Sequence, residues 1–89
     1  MPVVSLFYGI VIQMFFFDTK QHNLPHFHAK YQDYSAVIAI ETGEILEGKL
    51  PPGKLRLVLA WLEIHREDLM SDWRLAVDGQ QVFQIEPLR

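Results

Sequence analysis

Eighty-nine residues suffice for one domain and are too few for two. Hydrophobic residues at 49% and charged ones at 21% exclude a disordered chain, and the absence of cysteine excludes disulfides, thiolate metal sites and a thiol nucleophile. The formal net charge is −3 and neither half carries the Lys/Arg surplus that grips a nucleic-acid backbone, so nucleic acid is not a supported partner.

Residues 3–17 are strongly apolar. No positively charged stretch precedes them, Asp18-Thr19-Lys20-Gln21 follows instead of a small-residue cleavage site, and Gly9 and Gln13 interrupt the run. The run also falls short of the roughly 20 apolar residues of a membrane span. The expectation is a soluble, cytoplasmic chain with no membrane partner. Residues 9–17 alternate with apolar side chains on both sides, which predicts a strand covered on both faces. Val3–Phe7 is either a short preceding strand or the same strand bent at Gly9.

Residues 18–25 are polar and end in proline, and read as a loop. The next run, His26–Tyr31, alternates so that Phe27, Ala29 and Tyr31 point one way and His26, His28 and Lys30 the other. That pattern predicts a half-exposed strand with both imidazoles outside the packed interior. Residues 34–40 form a further strand with Ala36, Ile38 and Ile40 on one face, and Thr42-Gly43 marks the turn into residues 44–50. The sheet half is therefore an antiparallel meander of about four strands.

Pro51-Pro52-Gly53 closes it. From Lys54 the period becomes helical, with Leu55, Val58, Leu59, Leu62, Leu69, Trp73, Ala76 and Val77 on one stripe. Arg66 falls inside that stripe, which predicts either a bend near His65 or a charge that reaches out to the rim. Leu57, Trp61 and Ile64 widen the apolar surface and are the candidate contact surface for a protein partner or a second copy; Trp61 and Trp73 supply core or interface. Asp78-Gly79 stops the helix, and residues 81–86 read as a short final strand or docked tail. The fold class is α+β, one domain over residues 1–89: a sheet half (1–50), a helical half (51–79) and a terminal strand or tail (80–89).

His26 and His28 stand two apart on one strand face, about 6.5 Å apart at the backbone. Imidazoles so placed can converge on a divalent metal such as zinc, or share acid–base work. His22 and Asp18 are the nearest further donors in sequence, and Lys30 extends the same face. Against this stands a plain structural role, because His-x-His occurs by chance on exposed strands. His65 lies at the edge of the helical stripe and reads as core-edge. Lys54 and Arg56 are too few for a phosphate patch, and no serine sits in a nucleophile elbow. Whether the chain is an enzyme stays open.

With Pro25-His26-Phe27-His28-Ala29 in place, and Gly9-Ile10-Val11-Ile12 and Glu41-Thr42-Gly43-Glu44-Ile45-Leu46-Glu47-Gly48-Lys49-Leu50 around it, the chain resembles the small bacterial family called domain of unknown function 4160. His65-Arg66-Glu67-Asp68-Leu69, Trp73 and Ile85-Glu86-Pro87-Leu88 carry the likeness nearly to the end. The sequence departs from the family pattern at Thr19-Lys20-Gln21, which looks like an insertion, and at Leu24, where a second proline is common. The resemblance implies no established activity. It implies one half of a two-gene bacterial arrangement, hence a protein-binding or regulatory module in a toxin–antitoxin-like pair. The alternative is a metal- or histidine-dependent hydrolase or nuclease on the His26/His28 face.

Overall fold

The computed structural model describes residues 3–14 and 24–89. Five strands, β1 (Val3–Phe7), β2 (Ile10–Gln13), β3 (His26–Tyr31), β4 (Tyr34–Ala39) and β5 (Ile45–Lys49), form one sheet in the order β1-β2-β3-β4-β5. Every neighbouring pair is antiparallel. A single long helix, α1 (Pro52–Val77), follows. The α+β architecture is the expected one, with one strand more than about four.

The extra strand comes from Tyr8-Gly9. Both residues take positive φ (51° and 79°), and Phe7 pairs directly with Ile10 across them. Two consecutive left-handed residues turn the chain back tightly with the twist that a hairpin needs, and glycine takes that conformation at no steric cost. Of the two sequence readings of Val3–Phe7, the short preceding strand holds and the single bent strand does not. On β2 only Ile10 and Ile12 are fully covered, while Val11 and Gln13 are half-buried. The expected cover on both faces is thus partial; residues 15–17 of that reading lie outside the described residues.

The register puts Phe7, Ile10, Ile12, Phe27, Ala29, Ala36 and Ile38 on one face, all buried. The first half of α1 lies on it: Trp61 packs 5.2 Å from the Phe7 ring and 6.0 Å from that of Phe27. Val58, Leu62, Leu69, Trp73 and Ala76 complete the buried stripe. Val77, expected on it, is exposed. The second face carries Val11, Gln13, His28, Lys30, Ser35, Val37, Glu47 and Lys49.

Pro51 and Pro52 open the helix, which suits a first turn whose N–H groups have no intrahelical partner. At His65 the backbone leaves helical geometry (φ −113°, ψ 21°). Arg66 follows, and its Nε donates to the Ile40 carbonyl at 3.0 Å while Nη1 pairs with Glu63 at 3.1 Å. Both sequence readings of Arg66 hold together: the helix bends and the guanidinium finds polar partners at the rim. Gly79 N–H donates to Ala76 O and Gln80 N–H to Leu75 O, the paired bonds of a Schellman stop.

Residues 80–89 form no strand. They lie as a docked segment beside β1, with Ile85 N–H on Val4 O at 2.7 Å and Gln84 Nε2 on Val3 O at 2.6 Å. Among the described residues, no helix is long and apolar enough to cross a membrane.

Candidate functional site

The Pro25-His26-Phe27-His28 run sits where β3 begins. Pro25 O accepts from Ile40 N–H, which ties the entry of β3 to the end of β4. Alternation holds along β3, and the two imidazoles share a face with ring centroids 5.5 Å apart in an edge-on arrangement. Their exposure does not follow from that alternation. His26 is fully buried; His28 is half-buried and Lys30 exposed.

The expectation that both rings lie outside the packed interior is therefore overturned at His26. On α1 beyond the bend at His65, the Trp73 ring stands 4.9 Å from that of His26. His26 Nδ1 lies 2.7 Å from Leu24 O. A carbonyl only accepts, so Nδ1 carries its hydrogen toward it. A ring so anchored, with an aromatic lid, is part of the packing first.

Of the other proposed donors, Asp18 and His22 lie outside the described residues. Among the described residues no group of three His, Cys, Asp or Glu could hold a metal ion. His65 is half-buried beside the Trp61 ring, 5.7 Å away, and its Nδ1 lies 3.3 Å from Asp68 Oδ2. That places it at the core edge, as its sequence position suggests.

The three contact candidates divide. Trp61 is fully buried, and its Nε1 donates to Glu86 O at 2.8 Å, so it serves the core. Leu57 is half-buried against the core. Ile64 is 67% exposed and lines an open concavity at the bend with Glu63, Arg66, Glu67 and Asp68.

Sequence reasoning missed Asp72. It is buried on α1, its Oδ1 accepts from Phe83 N–H at 2.9 Å, and its Oδ2 has no hydrogen-bond partner. Burial pushes its carboxyl pKa up; the Phe83 N–H opposes that shift and the charge of Asp68 adds to it. A signal was present in the sequence. Asp72 lies three positions after Leu69 and four before Ala76, a lone acid inside the apolar stripe. Ser5 Oγ on β1 is likewise buried without a partner.

Within this chain the family described as Domain of unknown function (DUF4160) matches residues 9–74. The chain belongs to that family. The match runs from the Tyr8-Gly9 turn through β2–β5 to Arg74, and so includes His26, His28 and the bend of α1. Strand β1 and the docked segment 80–89 lie outside the DUF4160 match. No curated protein and no solved structure matches the chain.

Proposed function

We propose that this DUF4160 chain is a protein-binding or regulatory module, one half of a toxin–antitoxin-like pair of bacterial proteins, and that it works in the cytoplasm. The burial of His26 carries this reading. The residue best placed for chemistry is sealed under Trp73 and holds Nδ1 against a backbone carbonyl, so it serves the packing. Meanwhile large apolar side chains stay in water on several elements, Ile64 on α1 among them. A sequence without cysteine suits a reducing compartment.

The test is co-expression of the tagged chain with the protein encoded beside it. A stoichiometric complex on purification, with a growth phenotype set by the ratio of the two, is the expected result. A chain that sediments alone as a monomer, with no phenotype in either combination, overturns it.

A second reading, a metal- or histidine-dependent hydrolase, draws on the 5.5 Å approach of the two rings. It requires bound metal near one equivalent by elemental analysis, and a cleavage activity lost in His28→Ala while the fold survives. Metal-free protein with no activity difference removes it.

A further inference from the structure

Segment 80–89 is held almost entirely by other elements. Phe83 N–H reaches Asp72 on α1, Gln84 Nε2 and Ile85 N–H reach Val3 and Val4 on β1, and Glu86 O accepts from Trp61. Ile85 is the buried anchor, with Val82 and Leu88 packed beside it. The segment thus behaves as an extended peptide bound in a groove between the edge strand β1 and α1, joined to its own chain through one turn at Asp78-Gly79.

Three observations make that occupancy exchangeable. The turn at Gly79 stands in open space, with nothing within 4 Å of where a side chain would begin. Asp72, whose Oδ1 holds the Phe83 N–H, keeps a buried Oδ2 without a hydrogen-bond partner, so the docked state is incompletely satisfied and release lets that oxygen hydrate. On the two sides of the seam, β1 exposes Leu6 (61%) and the segment exposes Phe83 (71%), apolar surface that a second chain would cover.

We propose that this groove also accepts segment 80–89 of a second copy, so that two chains exchange the segment reciprocally across a two-fold axis. Every contact made within one chain is remade between chains, which gives the exchanged pair the same complementarity without new surface chemistry. The short connection gives the segment of the same chain an effective concentration of order millimolar, so the monomer dominates in dilute solution and exchange is a minor, concentration-dependent species. The inference rests on the polypeptide-binding reading but fails separately from it, because a partner protein can be captured whether or not copies exchange.

Trapping detects such a species. The chain has no cysteine, so introduced thiols are the only ones present. Full-length Val3→Cys is mixed with full-length Gln84→Cys under mild oxidation, since these two residues meet across the seam. The double variant serves as the positive control for closure within one chain. A second mixture of Val3→Cys with Ser71→Cys, on the exposed side of α1, measures random collision. We expect the Val3–Gln84 heterodimer to accumulate at least tenfold faster than the collision control, and to slow when a synthetic peptide of residues 80–89 is added. Equal rates in the two mixtures, with the double variant closing its own bond, overturn the proposal.

Discussion

Asp72 shows how one side chain can set the pH response of a small fold. Its carboxyl is raised above the ordinary 3.8 chiefly because burial penalises the charged form, and Asp68 on the same helix adds repulsion. The folded chain therefore holds this proton more tightly than the unfolded chain does. The stabilisation linked to it is full below the unfolded value and is lost as pH rises through the folded one. Asp72→Asn keeps an oxygen for the Phe83 N–H and cannot ionise. The stability of Asp72→Asn relative to the parent should thus increase from acid toward neutral pH, measured as the difference in urea midpoints at several pH values. A difference that stays flat would show that the folded chain holds the Asp72 proton no more tightly than the unfolded chain does. The same residue marks the reach of sequence reading. A lone acid in an apolar stripe was visible, but its partner was not, because Phe83 lies beyond the helix stop and the contact depends on how segment 80–89 docks.

Among elements, β5 and the bend of α1 respond to single substitutions for separable reasons. Gly48 on β5 has a φ of 80°, and a Cβ there would overlap the Ser35 carbonyl oxygen on β4. Gly48→Ala should cost about 2–3 kcal/mol, combining a left-handed backbone with displacement of the neighbouring strand. Urea denaturation with an unchanged slope would report it; a cost below about 0.5 kcal/mol, the scale of an ordinary surface change, would contradict the close approach. On α1, Arg66 bridges the bend to the end of β4 through Ile40 O. Arg66→Met keeps the apolar stem and leaves that carbonyl without its charged donor. The expected loss is about 1–2 kcal/mol, because part of the guanidinium remains in water. Circular dichroism should show the helix content retained.

The bend itself was legible: a charged residue inside an apolar stripe requires either a kink or an escape for the charge, and Arg66 has both. The hairpin of β1 and β2 was legible only as one of two alternatives, because Tyr8-Gly9 lacks the usual Asn-Gly or Asp-Gly signal and the apolar run continues through it. The burial of His26 was beyond the sequence. Period-two alternation assigns a side chain to a face, and only the tertiary path of α1 brings Trp73 against the His26 ring.

At the scale of the molecule, the sheet and α1 share one core, with Trp61 touching both Phe7 and Phe27. Segment 80–89 joins that core through Ile85 and through Glu86 O on Trp61, yet contributes no strand of its own. A chain of this size buries roughly 60–65% of its unfolded surface, so regions with few anchors open well before the whole fold does. Amide exchange should separate the two. The amides of β3 and β4, paired along their length at the centre of the sheet, exchange only through global unfolding. The Phe83 and Ile85 amides, each held by one bond across the seam, should exchange roughly a hundredfold faster, with rates that respond little to low denaturant because their opening exposes little surface. Matching rates and matching denaturant dependence in the two sets would mean that the segment is part of the global cooperative unit. Its docking would then be as permanent as the sheet, and β1 would have no exchangeable edge to offer.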